Sequence, residues 1–366
     1  MHQIKLVTDR RNFQLSFLQS KQEIEVGNKL QLPLSIPEIE AINENSKYVE
    51  QCYSTGLTAI VYKLKIDGKH YNLKKKRNEI LVKNIDGQTS FLNEVQRRKN
   101  FETFKLQEPE KFENIVNTIY ASLIHGFILS EWVEGEFITD FNQHNLTDIF
   151  KTHIEIEKKG LFECDLSLGN LILDVNNKVR FFDFGYMYPY NPLIHFNSDG
   201  KELPIFHLCE RLESRALMQY LMDLEIENNM PKMIDTYKLT KQTAITFYNN
   251  KLDWLINNRA DTEVVNWYKG FIKLWEYSLK NTDNLLNVYQ LESFRSYVLD
   301  VHDDVSGKSC TERTLKKTNK ILDKIHNNFD FLKANNGLFW GDEILNRSQL
   351  MDKYKNIEQK VIAYQI

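Results

Sequence analysis

The sequence predicts an α+β fold in which a β-rich N-terminal region precedes a larger helical region. The first observation is a pair of strand-like runs joined by Asp67-Gly68, a dipeptide that favours tight hairpin turns. The second is another pair of apolar runs, joined by His125-Gly126. The third is the spacing of apolar residues from Leu208 onward, which recurs at three and four residues, as on one face of a helix.

Changes in this pattern divide the chain into four parts, and its 366 residues suffice for two compact units. Residues 1–48 form a lead-in that we expect to pack on the β-rich region, with a short helix at residues 38–44. Residues 49–136 form the β-rich unit and a connecting segment. Residues 137–290 form the helical unit, and residues 291–366 form a C-terminal helical extension.

The first strand pair covers residues 53–66 and 69–74. Lys74 lies in a strand of alternating apolar residues, so its ammonium group can point inward. Residues 75–77 are also basic, which leaves two alternatives open. Either one of these three residues makes the inward contact instead of Lys74, or all four basic residues form a solvated end of the strand.

A helix is predicted over residues 91–99, with Ser90 as its N-cap. The apolar residues of this helix share one face, and Glu94 lies beside them. Glu94 can therefore point inward, although a glutamate at such a position is by itself more often a surface residue.

The second strand pair covers residues 118–124 and 127–133. A third hairpin is predicted from residues 170–174 and 178–182, which an Asn-Asn turn separates. Asp165 precedes this hairpin, and Asp183 follows it. The hairpin therefore brings two carboxylates into one place.

Helical patterning continues to the end of the chain. The predicted helices cover residues 208–221, 244–256, 262–279, 285–299, 311–332 and 343–363. The triplet His302-Asp303-Asp304 contains residue types that bind metals, but its place before Ser306-Gly307 favours a turn at a helix end.

Composition excludes several classes of protein. The net charge is −3 and the pI is about 6.3, so there is no basic surface of the kind that drives nucleic-acid binding. The four cysteines are widely separated and lack the spacing of a zinc site or a disulfide framework. We expect no nucleic-acid partner.

The expected location is cytoplasmic. The first residues lack the apolar segment of a signal peptide, and no run of about 18 apolar residues exists for a membrane span. Proteins that bacteria inject into host cells also lack such signals, so secretion as an effector remains open.

Two motifs frame the third hairpin. The first is D-x-x-x-x-N, from Asp165 to Asn170, and the second is D-F-G, which begins at Asp183. Together they resemble motifs of the protein kinase superfamily, either an atypical bacterial-type kinase or an aminoglycoside- or choline-kinase-like phosphotransferase. The resemblance implies a bilobal fold with a small β-rich lobe, a large helical lobe and extra C-terminal helices.

The resemblance also implies ATP and Mg²⁺ as cofactors. Asp165 would accept or orient the proton of an acceptor hydroxyl group. Asn170 and Asp183 would bind Mg²⁺ together with the ATP phosphates, so the metal site would be complete only with nucleotide present. Lys74 would reach the α- and β-phosphates, and Glu94 would form an ion pair with Lys74.

Two further parts of an ATP site follow from the same alignment. The family's G-x-G-x-x-G loop covers the phosphates, and its three glycines match Ser54, Gly56 and Ala59. The hinge between the lobes would bind adenine through backbone groups of Glu131, Trp132 and Val133.

The sequence also departs from the family. Glu163 stands where the family has histidine or tyrosine, Ser167 stands where Ser/Thr kinases have lysine, and no A-P-E-like motif follows Gly185. An inward Glu163 would add negative charge near Asp165, whereas an outward one would have no catalytic effect. The resemblance covers residues 49–190, and the residues after 190, where an acceptor would bind, resemble no family that we can name.

Three functions are therefore considered. The leading hypothesis is transfer of the γ-phosphate of ATP to a hydroxyl group of a protein or a small molecule. A second is a pseudokinase that binds nucleotide and recruits a partner without turnover. A third is transfer of AMP by a nucleotide bound in reverse, which would release pyrophosphate instead of ADP.

Overall fold

The computed structural model describes residues 5–366, and its N-terminal part contains an antiparallel sheet of six strands. In chain order these are β1 (Glu25–Gly27), β2 (Val49–Tyr53), β3 (Ala59–Ile66), β4 (Lys69–Lys76), β5 (Thr118–Ser122) and β6 (Phe127–Glu131). They lie side by side in the order β1, β5, β6, β4, β3 and β2. The centre of the sheet is therefore formed by β4 and β6.

Both hairpins predicted for this sheet are present. Asp67 and Gly68, between β3 and β4, have φ angles of 49° and 80°, the left-handed pair that a tight hairpin turn requires. The hairpins align Lys74 of β4 with Val61 of β3 and with Ile128 of β6. This register places Lys74 between two neighbouring strands rather than at an edge.

The lead-in contributes to the sheet. It contains α1 (Lys5–Ser20), the edge strand β1 and α2 (Ile36–Ala41), which corresponds to the helix predicted at residues 38–44. The sequence does not predict α1 or β1. Because β1 pairs with β5 and α1 packs against α3 (Ile85–Gln107), the lead-in is built into the N-terminal region.

The helix predicted at residues 91–99 begins earlier, and Ser90 is not its N-cap. The cap of α3 is Asn84, whose side-chain oxygen accepts a hydrogen bond of 2.8 Å from the backbone N–H of Gly87. Gly87 suggests a turn in the sequence, but it lies inside the helix, where a Cβ would sit 2.6 Å from that of Val82. Close packing, not a turn, requires this glycine.

Two small sheets hold the segment that carries the motifs. Their strands are β7 (Gly135–Phe137), β8 (Leu161–Glu163), β9 (Leu171–Asp174), β10 (Val179–Phe181) and β11 (Met187–Pro189). The predicted third hairpin is the antiparallel pair of β9 and β10, and β7 joins its edge. Pairing of β8 with β11 brings the segment before Asp165 next to the segment after Asp183.

The rest of the chain is helical. The remaining helices are α4 (Gln143–Lys158), α5 (Leu208–Leu212), α6 (Met218–Ile226), α7 (Met230–Asn257), α8 (Thr262–Ser278), α9 (Thr282–Gly307), α10 (Glu312–Ala334) and α11 (Arg347–Ala363). A π-helical turn, Glu213–Leu217, joins α5 directly to α6. Residue 290, where the sequence predicts the end of the helical unit, lies inside α9.

One apolar core unites these helices. Buried residues from α4, α8 and α11, such as Phe150, Trp275 and Tyr354, belong to the same contiguous cluster. A smaller cluster, which includes Leu73 and Leu129, lies on one side of the N-terminal sheet. The predicted α+β class is confirmed, and α9 to α11 share the core of the helices before them.

None of the helices within residues 5–366 has both the length and the apolar character needed to cross a membrane. The longest, α7 and α9, carry charged residues along their length. This finding agrees with the sequence, which contains no long apolar run.

Candidate active site

Lys74 lies at the centre of the candidate site. Its side chain is buried, and its ammonium nitrogen lies 2.5 Å from Glu94 Oε2 and 2.8 Å from Asp183 Oδ2. Burial alone would lower the pKa of Lys74, but the two carboxylates outweigh it and raise the pKa. The ion pair expected between Lys74 and Glu94 is present, and the aspartate of the D-F-G motif joins it.

The basic residues after Lys74 make other contacts. The ammonium group of Lys75 donates to two backbone carbonyls at the end of α2, at 2.6 and 2.8 Å. The guanidinium of Arg77 donates from Nε to the carbonyl of Gly56 at 2.8 Å. Neither Lys75 nor Arg77 therefore takes the place of Lys74, because both side chains are already engaged elsewhere.

Two residues of α3 tie Glu94 to the D-F-G segment. Arg98 donates from Nη2 to Glu94 Oε1 at 3.0 Å and to the carbonyl of Phe182 at 2.5 Å. Asn93 donates from Nδ2 to three backbone carbonyls of the segment after Asp183, at 2.7, 3.0 and 3.3 Å. No motif in the sequence indicates Asn93 or Arg98, since both look like ordinary polar residues of a helix.

Asp183 is the most open carboxylate of this group. Its side chain is 32% exposed, and its Oδ1 accepts a hydrogen bond of 3.2 Å from the backbone N–H of Gly185. Burial would raise the pKa of Asp183, but the charge of Lys74 and its hydrogen bond lower the pKa below the usual range. Asp183 is therefore ionised at neutral pH and accessible to a ligand.

Asp165 and Asn170 lie on the loop between β8 and β9. Asn170 donates from Nδ2 to the backbone carbonyl of Asp165 at 3.0 Å and to its Oδ2 at 3.3 Å. The amide oxygen of Asn170 makes no hydrogen bond to any of residues 5–366. The donor amide thus holds the aspartate and leaves an oxygen free, as the assignment of Asn170 to a metal ion would require.

The carboxylate of Asp183 and the amide oxygen of Asn170 are of the donor type that Mg²⁺ accepts. Across residues 5–366, however, no cluster of three or more His, Cys, Asp or Glu side chains could hold a metal ion. A Mg²⁺ ion bound by these two residues would need its other ligands from water and phosphate.

Glu163, a departure from the family motif, points inward. Its side chain is buried, and its Oε1 accepts a hydrogen bond of 2.7 Å from the backbone N–H of Asp165. Burial raises the pKa of Glu163 well above its usual value, and the nearby charges of Asp165 and Asp183 add to the effect. Glu163 thus fixes the backbone of the loop that carries Asp165.

The residues matched to the glycine-rich loop lie between β2 and β3. Ser54 and Gly56 are in the connecting loop, and Ala59 is the buried first residue of β3. A Cβ at Gly56 would lie 2.7 Å from the carbonyl oxygen of Ala59, so a side chain would clash there. The guanidinium of Arg77 also contacts the carbonyl of Ser54, which fixes the path of the loop.

The three residues matched to the hinge follow one another at the end of β6 and differ in their contacts. The carboxylate of Glu131 pairs with Arg180 at 2.8 Å, and Trp132 stacks on Tyr53 with 6.3 Å between ring centroids. The backbone groups of Val133 make no hydrogen bond within residues 5–366. The backbone N–H and C=O groups of Val133 are therefore available to a ligand.

Arg215 joins this site without any signal in the sequence. It lies in the π-helical turn between α5 and α6 and donates from Nε to Asp165 Oδ1 at 3.0 Å. Its Nη1 contacts Asp300 and lies 3.3 Å from Asp303 Oδ2, and Lys317 lies 2.5 Å from the other oxygen of Asp300. Asp303 lies in α9, four residues before the helix ends at Gly307, and is linked to the site through Arg215.

The predicted residues form two neighbouring groups. Lys74, Glu94 and Asp183 form one, and Asp165 and Asn170 belong to the other. The two groups are connected by the pairing of β8 with β11. The backbone N–H of Cys164, next to Asp165, also donates a hydrogen bond of 3.2 Å to the carbonyl of Tyr186, which follows the D-F-G motif. The site is thus assembled from the sheet, α3, the motif loops and the C-terminal helices.

Comparison of the sequence with protein-family models and with curated proteins finds no match. The similarity to kinases therefore consists of the motifs in the sequence.

Proposed function

We propose that this protein is a phosphotransferase that depends on ATP and Mg²⁺ and has a bilobal, protein kinase-like fold. The observation that carries the proposal is the buried pair of Lys74 and Glu94 with Asp183 at 2.8 Å from the lysine. These residues are distant in the chain, and the motif alignment selects the same three. Agreement between motif order and spatial contact is difficult to obtain by chance.

In this proposal the nucleotide lies between the N-terminal sheet and the motif loops. The free backbone groups of Val133 bind adenine, and the ammonium group of Lys74 binds the α- and β-phosphates. Asp183 and Asn170 hold Mg²⁺, which neutralises charge on the phosphates when bound. Glu94, fixed by its own ion pairs, keeps Lys74 in position.

The transfer step uses Asp165. The oxygen of an acceptor hydroxyl group forms a bond to the γ-phosphorus while the bond from that phosphorus to the bridging oxygen of ADP breaks. Asp165 accepts the hydroxyl proton, and ADP leaves with the bridging oxygen. The acceptor is a protein or a small molecule, and the need for ATP supports a cytoplasmic location, in the producing cell or in a host cell.

A nucleotide-binding module without turnover is the second candidate. It is favoured by the contacts of Asp165, because each carboxylate oxygen already accepts one hydrogen bond from the protein, Oδ1 from Arg215 and Oδ2 from Asn170. The glycine-rich loop, with glycine at one of three positions, also supports weakened catalysis.

The test combines binding with product analysis. Purified protein is titrated with ATP in the presence and absence of Mg²⁺, and then incubated with γ-labelled or α-labelled ATP and with the protein and small-molecule fractions of a cell extract. We expect Mg²⁺-dependent binding, ADP formation and γ-label in one fraction. Asp183→Asn should abolish turnover, whereas Asp330→Asn, at a side chain that is 85% exposed, should not change it.

The other outcomes separate the alternatives. Release of pyrophosphate with transfer of α-label would replace phosphoryl transfer by AMP transfer. Tight Mg²⁺-dependent binding without any product would establish the nucleotide-binding module. Absence of ATP binding would contradict the whole proposal.

A further inference from the structure

We propose that Arg215 is a positioning residue for Asp165, and that α9 and α10 hold Arg215 in place through a chain of alternating charges. This inference rests on the proposed phosphotransferase function. The chain runs from Asp165 to Arg215, then to Asp300 of α9 and to Lys317 of α10, and neighbouring members are in hydrogen-bond contact. The catalytic carboxylate is thereby connected to two helices that lie far downstream in the chain.

The motif loop itself contains no positively charged residue that could contact Asp165. Residues 163–170 contain no lysine and no arginine, and Ser167 stands where Ser/Thr kinases have a lysine. Arg215 is the cation in direct contact with Asp165. A cationic group beside the catalytic aspartate is therefore present in space, although it is absent from the motif.

The contacts of Asp165 leave room for a substrate. Arg215 donates one hydrogen bond to Oδ1 and Asn170 donates one to Oδ2, whereas an ionised carboxylate can accept about four. Because the two donors come from different elements, they fix both the place and the rotation of the carboxylate. At least one lone pair on each oxygen stays available to an acceptor hydroxyl group.

Arg215 is itself held rigidly. Its Nη1 contacts Asp300, whose side chain is nearly buried and whose other oxygen binds Lys317. Burial would raise the pKa of Asp300, but Lys317 and Arg215 outweigh it and lower the pKa, so the carboxylate is charged. The π-helical turn is fixed as well, since its first residue, Glu213, pairs with the buried Lys241 and with Arg295. π-helical turns are frequent at functional sites.

A purely structural salt bridge is the alternative, and kinetic measurements separate it from positioning. ADP formation is measured with water as the acceptor and with the acceptor fraction that takes up label, at varied ATP concentration. Arg215→Ala should lower kcat about 100-fold, the effect of a misplaced catalytic group, and leave the KM for ATP within about twofold. A low, non-denaturing concentration of guanidinium ion should restore part of the loss.

The controls make every outcome decisive. Arg313→Ala, at an exposed residue of α10, should match the wild type. If Arg215→Ala does not fold, Lys317→Met replaces it and should lower kcat about tenfold. Unchanged kcat in the folded variant, while Asp183→Asn is inactive, overturns the inference and leaves the proposed function intact. Absence of turnover in the wild type overturns both.

Discussion

The candidate site and the interior of the helical region each contain a buried lysine between two carboxylates, yet they differ in exposure. Lys74 contacts two carboxylates in the site, and Lys241 contacts Glu213 and Glu292 in the interior. The side chain of Asp183 is 32% exposed, whereas Glu213 and Glu292 do not exceed 3%. The same residue types therefore occur in an open arrangement and in a closed one.

The interior carboxylates also bind several donor groups of the protein itself. Tyr237 and Trp275 donate to Glu292 at 2.5 and 3.1 Å, and Arg295 pairs with Glu213 at 2.8 Å. No lone pair there is accessible to a ligand without unfolding. The difference shows that buried charge does not by itself indicate a binding site, and that an accessible carboxylate next to a fixed cation is the more informative feature.

The largest expected effect tests the closed arrangement. Lys241→Met leaves two buried carboxylates without their lysine and should lower the free energy of unfolding by about 3–5 kcal/mol. Urea denaturation measures this loss. Lys238→Met, at an exposed residue of the same helix, is the matched control. A loss below about 1 kcal/mol would mean that water reaches the interior carboxylates and that the two arrangements do not differ.

The next effect tests the open arrangement. Lys74→Met should lower ATP-dependent turnover at least 100-fold, as expected when a preorganised charge at a reacting group is removed. Its loss of stability should be smaller than that of Lys241→Met, because Arg98 still pairs with Glu94 and Asp183 is partly hydrated. Lys69→Met, at an exposed residue of the same strand, is the control. Equal stability losses in both lysine variants would contradict the comparison.

Glu163 is intermediate between the open and the closed arrangement. Its side chain is buried like the interior carboxylates, but its nearest donor is a backbone N–H and not a lysine. Its pKa is raised above the usual value of 4.5, so the folded protein binds this proton more tightly than the unfolded chain does. The wild type should therefore lose stability relative to Glu163→Gln as the pH rises above 4.5, and the difference should become constant above the raised pKa. Thermal unfolding of both proteins from pH 4 to 9 measures the difference, and a constant difference would exclude the shift.

The smallest effect is expected for Asp303. Its side chain is 64% exposed, and Arg215 keeps its contacts with Asp165 and Asp300 when Asp303 is changed. Exposed ion pairs typically contribute about 0.2–1 kcal/mol. Asp303→Asn should thus change stability by less than about 1 kcal/mol and turnover by no more than a few-fold. A loss as large as that of Lys74→Met would show that exposure is a poor guide in this site.

The sequence predicts the parts of the site that depend on local chain geometry. The turn at Asp67-Gly68 sets the register of β3 and β4, and this register determines where Lys74 lies. The hairpin of β9 and β10 likewise follows from a short local pattern. Each of these features depends on residues close together in the chain, which is why alternation and turn residues suffice to predict them.

Other parts depend on contacts between distant residues and leave no local pattern. Arg215 is one of several polar residues in a helical segment, and only the folded structure reveals its contact with Asp165. The packing of α9 against that segment adds its contact with Asp300. Asn93 is a similar case, because its carbonyl partners lie about 90 residues later. The sequence predicts the start of α3 too late, because Gly87 belongs to a residue type that is common in turns. In the structure the helix needs this glycine for close packing.

The position of Lys317 has a consequence for how the protein is made. Every motif of the predicted ATP site has been synthesised once residue 190 is added, but Asp300 and Lys317 follow much later. A chain that ends prematurely between these points would contain all the recognisable motifs and lack the support for Asp165. The residues that support Asp165 are thus synthesised last and lie in the part of the chain that contains no recognisable motif.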